Sequence, residues 1–519
     1  MANVSLLVHN GKIYQRPDGN SRVEALAIID GRISKAGSSL DILRLKSSST
    51  ETLDLEGRSA FPGLTDAHIH LLGTGMLMRT LDLSKARSIL EIQKMLAKTA
   101  STKPKGDWII GRGWDQERLQ DRRYPDRTDA DIVPNPVFLR RICGHIALAN
   151  SLALATVGID EKTPEPSGGE IERDSTGRLT GLVKERALEL VARSIQRDEA
   201  ETREALLCAA KKLLSNGVTS LHCIVEDSLE FDVLRELKKK GKIEQSIYAI
   251  LPLNMLDRTD SLLEKNSPSV EGFKVGGLKI FLDGSLGART AALDEPYTDE
   301  PGTNGMLTTS REQLLGLTRM ARELGLQLCI HAIGDKAVEL AVQTLKEALG
   351  PAECRKRRHR IEHASLLSPE LIREMASLGL VASVQPRFVY SDNWAEKRLG
   401  KERIQYLYPF KSMLKAGIKL AAGSDSPSDD FSTAEGLWSS VSRPVLPTNE
   451  SLTAAQAVSS YTMGGAYASF SEVSEGTLET GKWGNMVVFD KDPLECATEE
   501  LFRLKVVETI VHGRVFRWN

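Results

Sequence analysis

Short runs of alternating apolar and polar residues open and close the chain. Val4 to Tyr14, Glu24 to Gly37 and Thr52 to Leu55 predict β-strands. Asn10-Gly11 and Asp30-Gly31 are read as hairpin turns, because Asn, Asp and Gly tolerate positive φ. Asn485 to Asp490 and Val506 to Phe516, the latter bent at a His-Gly turn, have the same texture. Between these ends the pattern changes. Apolar strand-like runs at Gly217 to Val225, Ser246 to Leu251, Gly277 to Leu282, Leu326 to His331, His359 to His363, Leu380 to Gln385 and Ile418 to Gly423 are mostly separated by amphipathic helical stretches. Examples of the latter are Arg311 to Leu324, Asp335 to Leu349 and Pro369 to Leu378. With the stretch Phe61-Pro-Gly-Leu-Thr-Asp-Ala-His-Ile-His70, the strands number eight, as in a TIM barrel.

The predicted fold is therefore α/β, a (β/α)8 barrel with a small β-sandwich domain formed from both termini. The boundaries are 1–60 and 476–519 for the composite β-sandwich and 61–475 for the barrel. A long insertion, 73–202, follows the first barrel strand, and such long connections usually carry structure or function. It is expected to cap the active site.

Composition narrows the class. The 519 residues are 41% hydrophobic and 27% charged with net charge −2, which argues against a nucleic-acid binder or a polybasic membrane protein. Cys354-Arg-Lys-Arg-Arg358 is the densest basic run and is read as a solvated helix end. No apolar run approaches the ~20 residues of a membrane span. The opening residues lack a basic n-region and a long apolar run, so no signal peptide is expected. Six scattered cysteines without a C-x-x-C pair fit reduced thiols and a cytoplasmic protein.

Several strand-like runs end in a metal-binding side chain: His68 and His70, His331, His363, and Asp425 just beyond the last. Residues two apart on a strand share a face, so His68 and His70 look into one cavity. Catalytic groups of TIM barrels sit at the C-terminal strand ends, and imidazoles with a carboxylate suit zinc or a similar divalent ion. Lys279 is a charge within an apolar strand, where a buried ammonium needs a partner or a chemical change. It is read either as paired with Asp283 or as a CO₂-derived carbamate bridging two metals. Glu362, next to His363, is expected to face away from the barrel axis, and His222 and Cys329 are read as core residues.

These segments, together with Gly277-Leu-Lys-Ile-Phe-Leu-Asp-Gly-Ser-Leu-Gly287, His331-Ala-Ile-Gly-Asp335, Arg360-Ile-Glu-His363 and Ala422-Gly-Ser-Asp425, resemble the amidohydrolase superfamily. The resemblance is to the YtcJ-like amidohydrolase family 3 branch, which includes N-substituted formamide deformylases, and it extends over essentially the whole chain. It implies His68 and His70 as ligands of one metal and His331 and His363 as ligands of a second. It also implies Lys279 as a carboxylated (N6-carboxylysine) bridge and Asp425 as ligand and base. One or two divalent ions, zinc foremost, are expected, with a homodimer and a small-molecule substrate. His145, in a Gly-His motif similar to one in the branch, is a candidate for oxyanion stabilisation or a structural residue. Trp114 and Asp115 line a pocket or form a packed turn. Arg289 meets a substrate carboxylate or pairs with Asp294. The implied activity is metal-dependent hydrolysis of an amide-type C–N bond, of the N-substituted amide or formamide class, by metal-activated hydroxide. Alternatives are a cyclic amide hydrolase or heterocycle deaminase, and a non-catalytic metal- and ligand-binding regulatory protein.

Overall fold

The computed structural model describes residues 4–19, 21–195, 197–265 and 270–518. It divides into two compact units: Met1–Gly75 with Arg203–Asn519, and Met76–Thr202.

The first unit contains the barrel. Its strands are β1 (Leu64–Ile69), β2 (Val218–Ile224), β3 (Ser246–Leu251), β4 (Phe273–Phe281), β5 (Gln327–Ala332), β6 (Arg360–His363), β7 (Val381–Val384) and β8 (Lys419–Ala422). They form one eight-stranded parallel sheet in sequence order, as the spacing of apolar runs predicts. Every residue of β1, β2, β6 and β7 is buried. Helices cover the outer face, which is why these strands are buried along their whole length rather than at alternate residues.

The sheet closes through the segment after β8. Asp425 N–H donates to the His68 carbonyl at 2.7 Å, and His70 N–H to that of Ser426 at 3.0 Å. The buried Asp66 carboxylate accepts from the N–H groups of His68 at 3.2 Å and Ser424 at 2.9 Å. Gly423 makes this approach feasible, since a Cβ there would lie 2.4 Å from the His68 nitrogen.

The helices start and stop where local chemistry directs. In Pro369–Leu378, Ser368 caps the Leu371 N–H, Pro occupies the first turn and Gly379 ends the helix at φ 64°. Leu371, Ile372, Met375 and Leu378 form its buried stripe.

Two further sheets carry the chain ends, and the second of them joins one end to the other. Residues Arg32–Gly37, Ala25–Ile29, Leu6–His9 and Glu51–Asp54 make a four-stranded sheet. A six-stranded sheet pairs Met486–Phe489 from the C-terminal region with Ser59–Pro62 from the N-terminal one. Leu6, Ile13, Ile28, Met486, Val488 and Ile510 share one core across both sheets. Asp30-Gly31 and His512-Gly513 are hairpin turns with positive φ at both positions. Asn10-Gly11 is not a hairpin. The strand before it pairs within the four-stranded sheet and Lys12–Tyr14 within the six-stranded one, so this turn moves the chain between sheets.

The second unit has its own six-stranded sheet, built from Leu81–Asp82, Ile109–Trp114, Val137–Arg141, Ile146–Ala149, Leu179–Glu185 and Gly169–Arg173. Two apolar clusters pack against it. Helix Leu71–Arg79 carries the chain out of β1, so the division falls after Gly75 rather than at 73. Among the described residues, no helix is long and apolar enough to cross a membrane.

Candidate metal centre

Four histidines gather at the C-terminal rim of the barrel. Ring centroids of His70 and His68 are 5.9 Å apart, those of His68 and His363 5.1 Å, and those of His363 and His331 4.5 Å. Asp425 Oδ1 lies 3.3 Å from His68 Nε2 and 3.5 Å from His70 Nε2. Lys279 Nζ is 3.3 Å from His68 Nε2 and sits over the Phe281 ring. One donor atom from each of His68, His363 and Asp425 falls within 4.8 Å of the others.

Three of the rings are oriented by a second partner. His68 Nδ1 is 2.5 Å from Glu362 Oε2, His363 Nδ1 is 2.7 Å from Gln385 Oε1, and His331 Nε2 is 2.9 Å from the Gly284 carbonyl. Each of these acceptors takes the ring N–H, which leaves the opposite nitrogen with its lone pair available for a metal.

Charge states agree with this. Burial lowers His331 to about 3, helped by the nearby Lys279, and it also holds His363 well below the ordinary imidazole value. Both are neutral at neutral pH. Burial alone would raise Asp425, but its close contacts with His68 and His70 reverse the effect and hold it well below the ordinary carboxylate value. Burial lowers Lys279, which favours the uncharged amine that reacts with CO₂. Three imidazoles with free lone pairs around an ionised carboxylate fit a divalent transition ion.

Glu362 departs from the expected orientation. It points inward, where it bonds His68 and receives two hydrogen bonds from Arg360, at 2.7 and 2.9 Å. Strand alternation presumes extended backbone, and His363 has φ 73° and Ala364 φ 45°. The left-handed turn lets consecutive residues 362 and 363 both serve the site. Arg360 also contacts His222 Nδ1 at 3.0 Å, the Ala67 carbonyl at 2.6 Å and Ser383 Oγ at 2.9 Å. His222 is thus a buried polar link rather than inert core.

Asp283 is not the partner of Lys279. Its carboxylate accepts from the N–H groups of Ala292, Ile333 and Gly334, at 3.0, 3.1 and 2.8 Å, tying the loop after β4 to the loop after β5. Burial raises it to about 6. Arg289 does not pair with Asp294 but with Asp299, at 2.9 and 3.2 Å, and with Glu300.

The remaining candidates lie in the second unit. Trp114 is fully buried and its Nε1 donates to the Leu139 carbonyl at 2.8 Å, so it is a core residue and not a pocket wall. Asp115 accepts from Arg141 at 2.9 Å. His145 is exposed, with Nδ1 3.1 Å from Glu185. Glu362, Arg360, Gln385 and Asp283 are the contributors that periodicity did not single out. A charged pair inside an all-buried strand, Arg360 and Glu362, was the available signal.

A parallel barrel with imidazoles and a carboxylate at its C-terminal rim defines the class as metal-dependent hydrolases. Comparison with known proteins gives the family. The amidohydrolase family profile matches residues 51–517, and the chain belongs to that family. It is 34% identical to the amidohydrolase YtcJ of Bacillus subtilis strain 168, covering 98% of each chain. It is 29% identical to the N-substituted formamide deformylase of Arthrobacter pascens, over 98% of this chain and 97% of the relative. Among solved structures, a metal-dependent hydrolase of Pyrococcus furiosus superposes with TM-score 0.82 at 31% identity, over 94% of this chain and 100% of the other.

Proposed function

We propose that the protein hydrolyses the C–N bond of an N-substituted amide or formamide, in a reaction that requires a divalent metal. The carrying observation is the convergence of His68, His363 and Asp425 donor atoms within 4.8 Å, beside His70, His331 and Lys279. The deformylase relative supports the bond class. His68 and His70 would hold one ion and His331 and His363 a second, with a carboxylated Lys279 and Asp425 as further ligands; zinc matches this donor set. Such an ion acidifies water toward a pKa of ~7 and polarises a carbonyl.

The chain's own residues do the rest. Asp425 is held ionised, so it accepts the proton of the attacking water and returns it to the departing nitrogen. Glu362, Gln385 and the Gly284 carbonyl keep three imidazoles in the ligating tautomer. Six unpaired thiols suit a reducing cytoplasm.

The test is Asp425→Asn, with metal content measured alongside turnover of linear formamides, hydantoin-like rings and aminopurines. We expect a loss of about 10²-fold or more with ions retained. Near wild-type hydrolysis by a metal-loaded variant would refute the assignment. Chelation should abolish activity, and zinc or another divalent ion should restore it.

A further inference from the structure

A cavity of about 320 Å³ lies within the first unit, walled in part by Leu286, Ile333, Phe388 and Trp394. Phe388 links it to the metal centre, since its ring lies parallel to the His363 imidazole with centroids 6.2 Å apart. Two carboxylates also line the cavity, Asp392 and Asp429, and among the described residues no Lys, Arg or His does.

The two carboxylates differ in their partners. Asp429 is neutralised by Arg387 and accepts from Ser391 Oγ at 2.7 Å. Asp392 accepts the Tyr408 hydroxyl at 2.6 Å, and among the described residues no cation pairs with it. Burial raises it to about 6, with no positive neighbour to pull it back. A carboxylate shielded from water without a counter-charge is unfavourable, and such groups concentrate at binding sites. Aromatic faces beside it add attraction for a cation.

We propose that Asp392 is a specificity residue that binds a protonated amine carried on an apolar arm of the substrate. The inference rests on the amide-hydrolase reading and narrows its substrate class. The arm packs between Phe388 and Trp394, with the ammonium on the free side of the Asp392 carboxylate. The reacting carbonyl stays at the histidine cluster, on the other side of Phe388.

The experiment compares two formamides of matched length, N-aminobutyl and N-pentyl formamide. The wild type should favour the amine-bearing one by roughly tenfold or more in kcat/KM. Asp392→Asn should erase the preference by lowering kcat/KM for the amine substrate, leaving the pentyl substrate within about threefold. Its thermal stability should hold or rise, because the amide removes a half-buried charge that has no counter-ion among the described residues; Asp392→Ser is a second uncharged variant. Tyr408→Phe, which keeps the carboxylate, should retain the preference. Calorimetry with butylammonium gives a readout that needs no turnover, with binding expected in the wild type and lost in both Asp392 variants. Butylammonium binding that depends on Asp392, without hydrolysis of either formamide, would support the cation site and sink the bond class. Hydrolysis of both formamides with no preference, or an equal loss on both in Asp392→Asn, would overturn the cation site alone.

Discussion

Glu362→Gln separates an oriented metal centre from a merely packed one. The carboxylate is fully buried and makes three short contacts: 2.5 Å to His68 Nδ1, and 2.7 and 2.9 Å to the Arg360 guanidinium. Burial opposes its charge, but Arg360 and His68 hold it well below the usual carboxylate range. An amide of the same shape has one acceptor oxygen and two N–H donors. If its oxygen meets His68, its N–H groups oppose those of Arg360 and leave a buried cation poorly paired, which costs about 3–5 kcal/mol. If its oxygen meets Arg360, its N–H group faces His68 Nδ1 and pushes the ring proton to Nε2. The nitrogen beside Asp425 and Lys279 then has no lone pair to give. Losing such an orienting partner lowers metal affinity by roughly 10–100-fold. Competition against a chromogenic chelator measures the affinity, and denaturant unfolding of the metal-free protein measures the stability. Lost stability with metal affinity within about threefold of wild type would reduce Glu362 to a partner for Arg360 and refute its orienting role.

Two further outcomes follow from buried ionisable groups. His359 is buried; its Nδ1 accepts the Leu328 N–H at 2.9 Å, and burial lowers it to about 3, aided by Arg357. Unfolded imidazole titrates near ~6.5, so between these values only the unfolded chain binds the proton. Stability is therefore full above ~6.5 and falls by about 1.4 kcal/mol per pH unit toward 3. Asn at 359 keeps an acceptor for Leu328 and does not titrate, so its stability loss from pH 8 to 5 should be smaller by about 2 kcal/mol; equal losses would refute the account. Lys279→Gln retains an N–H donor on a side chain one bond shorter but cannot form a carbamate. On the proposed two-ion reading it should lower bound metal from two ions to one and abolish the carbamate NMR signal expected of the wild type with labelled bicarbonate. An unchanged metal content would reject the bridge.

The candidate ligands could be singled out because their signal is positional. A histidine at one strand end is ambiguous, but His68, His70, His331, His363 and Asp425 recur at or just past the same end of four of the eight strands. Once eight parallel strands are counted, that edge is the rim of a barrel. What escaped depends on backbone that alternation does not describe. His363 reaches the site at φ 73°, one residue after the inward-facing Glu362, and the reach of Asp425 onto His68 and His70 comes with φ 57° at Asp425 itself. Neither residue is glycine, so each conformation is unfavourable by about 1–3 kcal/mol. Asp392 was silent for another reason: an Asp among polar residues on a loop looks solvated until the fold surrounds it with Phe388, Trp394 and Tyr408. The two strained positions lie at the metal centre and are over-determined by what surrounds them. Asp425 is tied by its own N–H to the His68 carbonyl, and His363 is tied by its ring to Gln385. Strain held in this way sets a carboxylate and four imidazoles around one space before any ligand arrives, and that preorganisation is what a charge-stabilising active site requires.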